Sequence, residues 1–106
     1  IDELALWLAA LDGDTLLADS SRQAMFAAHT TTPTGEDDVD AYGYGWRLHG
    51  GMQWHSGETI GFRNVVLRFP QQRLAVVVLS NRNAPAPYPL ARAIAALWQV
   101  SGPEAP

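Results

Sequence analysis

The chain has 106 residues, 47% of them hydrophobic and 17% charged, which suits one small globular domain with a modest core and excludes a disordered segment. Its net charge is −4 with no basic run, so nucleic acid and anionic membrane are not expected partners, and no apolar stretch approaches the roughly 18 residues of a membrane span. Cysteine is absent, which excludes disulfides and thiolate metal sites. Lysine is absent too: all seven basic side chains are arginine, so no lysine base or Schiff base can come from this chain. The sequence opens at Ile1 without methionine or signal peptide, directly in a helical pattern, as expected of a segment cut from a longer protein.

Residues 2–11 read as a helix. Leu4, Trp7, Leu8 and Leu11 make one apolar stripe, Asp2 and Glu3 suit its positive end, and Gly13 is a plausible stop. Residues 19–28 read as a second helix, capped by Asp19 or Ser20, with Met25 and Phe26 packing. Residues 29–41 form a polar, acidic loop without calcium-binding spacing. A hairpin follows, with strands at 42–49 and 52–57 and its tight turn at Gly50-Gly51. Tyr42, Tyr44 and Trp46 should alternate onto one strand face as packing residues, with Gly43 and Gly45 on the other.

Residues 62–69 are the next strand, residues 70–73 a turn, and 74–81 a further strand. That last run is apolar on both faces, which predicts a central strand covered above and below. "APAPYP" is a stiff connector. Residues 89–100 form the closing helix, with Pro89 in its first turn and Leu90, Ile94, Leu97 and Trp98 as its packed stripe. Trp7 and Trp98 should be core, and the tail "SGPEAP" should fray. The expected architecture is a single α+β domain over 1–106, a mainly antiparallel sheet of about four strands with N- and C-terminal helices packed on it.

The stretch "HSGETIGFRN", residues 55–64, sets a histidine before a glycine-bracketed loop. With "YGYGW" before it and "LAVVVLSNRN" and a final helix after it, the chain resembles the C-terminal part of the serine β-lactamase family, in the branch of class C β-lactamases, D-alanyl-D-alanine carboxypeptidases and esterases. The leading "DELALWLAALDGDTLLADSSRQAMFAAHT" is similar to the stretch preceding this region in that family. The resemblance implies a fragment of the β-lactamase/transpeptidase-like fold. It also implies acyl-enzyme hydrolysis of an amide or ester, export to the periplasm or beyond, and no cofactor or metal.

The family's site has three parts: Ser-x-x-Lys, Tyr-x-Asn, and Lys-Thr-Gly or His-x-Gly on an edge strand. Only the third matches, as His55-Ser56-Gly57. Histidine there can hold a substrate carboxylate or polarise the catalytic network, and Gly57 keeps the strand bare for an extended substrate. The resemblance makes Glu58 the donor of an oxyanion-hole N–H, worth roughly 3 kcal/mol of barrier. Ser56 joins the substrate-binding set, Gly61 turns the loop back, and Asn83 or Asn81 borders the cleft. A carboxylate at Glu58 repels anionic substrates, which favours an esterase or peptidase over a β-lactamase.

No serine of the chain has lysine three places on, and none of Tyr42, Tyr44 and Tyr88 has asparagine two places on. Ser56 lacks a Gly-x-Ser-x-Gly elbow. The chain alone is therefore expected to be inactive. The alternative is a non-catalytic structural or binding module. His29 and His49 read as surface histidines, and the three histidines have no metal-site spacing. The expected partner is a small-molecule or peptide substrate in the complete protein. A bare edge at 74–81 is expected to give a homodimer.

Overall fold

The computed structural model describes residues 1–31 and 38–101, with the side chains of residues 100 and 101 left aside. Residues 32–37 of the acidic loop and nearly all of the tail therefore lie outside the described residues. The elements are α1 (Asp2–Ala10), α2 (Asp19–Met25), β1 (Thr30–Thr31), β2 (Ala41–Tyr42), β3 (Arg47–His49), β4 (Met52–Thr59), β5 (Phe62–Phe69), a 3-10 turn (Pro70–Gln72), β6 (Leu74–Ser80) and α3 (Tyr88–Ser101). The six strands lie in sequence order and every neighbouring pair is antiparallel. The fold is α+β as expected, with six strands in place of about four.

The period-2 pattern of β5 and β6 divides the core. Val65, Leu67, Val76, Met52 and Trp54 pack with Ala91 and Ala95 of α3 on one face. Val66, Val77 and Leu48 turn to the other face, where Leu8, Leu11 and Trp46 close a second cluster with Met25 and Phe26. Leu67 and Val65 are 0% and 1% exposed, and burying each contributes about 2 kcal/mol.

Three expectations are corrected. Residues 42–49 are not one strand. The chain turns at 43–46, where Gly45 has φ +82° and Gly43 N–H donates to Trp46 carbonyl, and β3 folds back beside β2. Only Trp46 is buried; Tyr44 is 61% exposed and stacks on His29. Tyrosine–glycine alternation imitates a strand pattern, but glycines that admit a positive φ make a tight reversal there.

β6 is an edge strand rather than a central one, although α3 and α1 do cover its two faces.

The packed stripe of α3 is Tyr88, Ala91, Ile94 and Ala95, while Leu90, Leu97 and Trp98 are 56%, 70% and 64% exposed. Tyr88 packs on Trp54 at 4.3 Å between ring centroids, and Arg92 bonds Asp38 at 3.1 Å, so this flank is anchored toward β4. Helical spacing puts Leu90 and Leu97 on the opposite flank, past the last strand, with no sheet beneath them. Trp7 is likewise 45% exposed, stacked on Trp46 at 6.3 Å.

The end of the acidic loop is bonded rather than solvated. Asp38 accepts from the Tyr88 hydroxyl, and burial, together with that carboxylate, pushes the Tyr88 hydroxyl above its usual range. Asp40 accepts the Gly50 N–H at 3.0 Å, which holds its carboxyl below the usual carboxylate range. His49 sits between them, its ring nitrogens 3.5 Å from Asp38 and 3.3 Å from Asp40.

Candidate functional site

β4 carries the motif. Successive strand residues point to opposite faces, so His55 and Gly57 share one face while Ser56 takes the other. His55 lies opposite Val66, of the α1/α2 side, and Ser56 lies opposite Val65, of the α3 side. The Ser56 hydroxyl accepts from Arg47 Nη1 at 2.8 Å, and that guanidinium lies over the Trp54 ring, 4.6 Å from its centroid. The structure thus separates the Ser56 side chain from His55.

His55 is half-buried and engaged at both ring nitrogens. Nδ1 is 2.7 Å from the Ser56 carbonyl, and Nε2 is 3.2 Å from the Tyr42 hydroxyl, with the two rings edge-on at 6.1 Å. Sequence reasoning treated Tyr42 as packing. It lies 13 residues from His55 and on a different strand, so no local pattern could link the pair.

The backbone beyond His55 is open on one side. Both hairpins flanking β4 close through two residues, His49 opposite Met52 and Thr59 opposite Phe62. In such turns the closing pair exchanges its two hydrogen bonds, and the direction alternates along the strand. Counting from either turn, the backbone groups of Met52, Trp54, Ser56 and Glu58 point toward the β3 side. β3 ends at Arg47, opposite Trp54. The N–H and C=O of Ser56 and Glu58 therefore face an edge with no strand partner among the described residues. This bare edge is where an extended ligand could add as a strand.

A Cβ built on Gly57 meets nothing within 4 Å, so packing does not demand glycine there. What glycine does is leave that surface low. Gly61 is different: its φ of +87° requires glycine at the β4–β5 turn. Its N–H donates to Asn83 Oδ1 at 2.7 Å, which ties the connector after β6 to this turn and brings two sequence-predicted residues together. Asn64, opposite Gly57, accepts the Ser80 N–H at 3.1 Å and braces β5 to β6. The Glu58 side chain is exposed and lies opposite Arg63 in register. Ile60 and Phe62, 96% and 51% exposed, make the hairpin tip apolar.

The hollow over this region is shallow, about 170 Å³, lined by His55, Ser56, Gly57, Asn64, Val65 and Val66. A larger cleft of about 620 Å³ lies at the other end of the sheet, where Arg22 and Arg68 contribute to its wall. Its charges are largely answered internally: Arg68 by Asp12 and Gln53, Arg22 by Asp14 and Asp19. Among the described residues no group of three or more His, Cys, Asp or Glu is arranged to hold a metal ion, and no helix is long and apolar enough to cross a membrane.

The Beta-lactamase family model matches residues 1–99. Among solved structures, a penicillin binding protein from Bacillus halodurans is similar, with 30% sequence identity and a TM-score of 0.72. That similarity covers 91% of this chain and 29% of the other, so the chain spans less than a third of the protein it resembles. No curated protein matches. The motif strand β4 is flanked on both sides, not the edge strand expected. The family match over residues 1–99 and the α+β structural similarity agree, and the chain belongs to the β-lactamase family.

Proposed function

We propose that this chain supplies the strand side of a serine hydrolase site of the β-lactamase type, one that hydrolyses an amide or ester through an acyl-enzyme. The observation that carries this reading is the open edge of β4 at Ser56–Glu58, beside His55 and the bare Gly57. In this reading a substrate lies along that edge, His55 polarises the catalytic network, and the Glu58 N–H points at the developing oxyanion. Gly61 and Asn83 hold the turn that ends the edge. The substrate class is a β-lactam, a D-amino acid peptide or an ester, and the Glu58 carboxylate disfavours anionic members of that set.

The nucleophile and its base belong to the missing motifs, so the 106-residue chain alone forms no acyl-enzyme by the family mechanism. Incubation with a fluorescent penicillin or a fluorophosphonate should leave its intact mass unchanged. A stoichiometric adduct would refute this.

By itself the chain pairs with a second copy through β6. That seven-residue strand is at the sheet edge, carries no charge, and is flanked by the exposed Leu79, Leu90, Leu97 and Trp98. Antiparallel pairing about a two-fold axis satisfies both edges at once and brings the two overhanging α3 flanks together. Light scattering over a concentration series should show a dimer or larger species; a clean monomer at the highest concentration counts against it. A non-catalytic assembly module is the competing reading, and it predicts the same dimer but no effect of His55 on any hydrolysis.

A further inference from the structure

We infer that Tyr42 is a positioning residue for His55: the Ser56 carbonyl holds the neutral imidazole as the Nδ1–H tautomer, and the Tyr42 hydroxyl donates to Nε2 and fixes the ring. The argument starts from what each partner can do. A carbonyl oxygen only accepts, so the 2.7 Å contact between Nδ1 and the Ser56 carbonyl requires the proton on Nδ1. A neutral imidazole carries one N–H, which leaves Nε2 as an acceptor. The group 3.2 Å from Nε2 is the Tyr42 hydroxyl, which can donate. The carbonyl thus sets the tautomer, and the hydroxyl, which can donate or accept, follows it by donating to Nε2. Both bonds are partly buried, where a mismatched pair costs more than in water.

The tertiary structure creates this arrangement. The Ser56 carbonyl is free to accept because β3 stops at Arg47 and leaves the edge of β4 open. Tyr42 reaches the ring because the 43–46 turn ends β2 beside the start of β3. The ring is also fixed in orientation, packed edge-on against Tyr42 with an interplanar angle of 67°.

The consequence deepens the hydrolase reading and rests on it for its catalytic meaning. A neutral His55 has no spare N–H for a substrate carboxylate or carbonyl, because its single proton goes to Ser56. His55 thus acts on a bound substrate through Tyr42, not through a free imidazole N–H.

The test uses the chain itself, labelled with nitrogen-15 at histidine and read by long-range proton–nitrogen correlation with the ring neutral. The wild type should show a pyrrole-like Nδ1 and a pyridine-like Nε2 at His55. Tyr42→Phe, checked as folded by its amide spectrum, should keep the proton on Nδ1 and move the Nε2 resonance downfield, as loss of a hydrogen bond donated to a pyridine-like nitrogen does. A wild type with the proton mainly on Nε2 overturns the inference, and so does an Nε2 resonance unchanged in Tyr42→Phe. The wild-type measurement stands even where the variant is unstable. Acylation and turnover decide the hydrolase reading separately, so failure of one is distinguishable from failure of the other.

Discussion

In a hydrolase that carries this chain as its sheet side, His55→Ala is expected to lower kcat/KM about 100-fold with little loss of stability. The size follows from what a group that positions a proton-transfer partner contributes, the low end of about 10²–10⁴ in rate. The small stability cost follows from position. His55 is only half-buried, on the stretch of β4 that β3 leaves open, and it belongs to neither hydrophobic cluster. The control is its neighbour. The Ser56 side chain takes the other face and is held by the charged Arg47 guanidinium, away from His55, so Ser56→Ala should cost stability and leave kcat/KM far closer to the wild type than His55→Ala does. Equal losses in His55→Ala and Ser56→Ala, measured with an ester substrate at matched protein stability, would remove His55 from the mechanism.

Gly43→Ala is expected to destabilise the chain by about 3 kcal/mol, a fall in Tm of roughly 15 °C. A Cβ at residue 43 would lie 2.4 Å from the Met25 carbonyl oxygen and 3.1 Å from that of Ala27. Both obstacles are backbone, so no side chain can swing aside. The end of α2 must move away from β2, and three ties at this corner are put at risk. Tyr44 N–H donates to the Met25 carbonyl at 2.8 Å, His29 N–H to the Tyr42 carbonyl at 3.1 Å, and Gly43 N–H to the Trp46 carbonyl at 2.8 Å. The same shift pulls Met25 and Phe26 from Trp46, whose ring lies 5.6 Å from that of Phe26. Gly57→Ala is the matched control. Its Cβ meets nothing within 4 Å, so unfolding should move by no more than about 0.5 kcal/mol. Urea unfolding of both variants decides this; a Gly43→Ala protein as stable as the wild type would mean the corner yields freely.

The linear sequence by itself determined the elements whose pattern is local. Periodicity located β5 and nearly located α1, β6 and α3. The Gly50-Gly51 and Gly61 turns declared themselves through residues that tolerate positive φ. The His55-Ser56-Gly57 motif and the absence of Ser-x-x-Lys were equally legible, because both are matters of residue identity at short spacing. What only the tertiary structure decided depends on where neighbours end. The apolar stripe of α3 looked continuous, yet Ala91 and Ala95 face the sheet while Leu90 and Leu97 hang past its last strand. No count along a helix reveals where a sheet stops.

The "YGYGW" stretch read as alternation, and the close approach of Gly43 to the end of α2 made it a reversal instead. That reversal sets Tyr42 beside His55, and the early end of β3 bares the Ser56 and Glu58 backbone. The site's residues are written in the sequence. Their hydrogen-bonding state is not, because a carbonyl becomes free or engaged according to whether another strand reaches it.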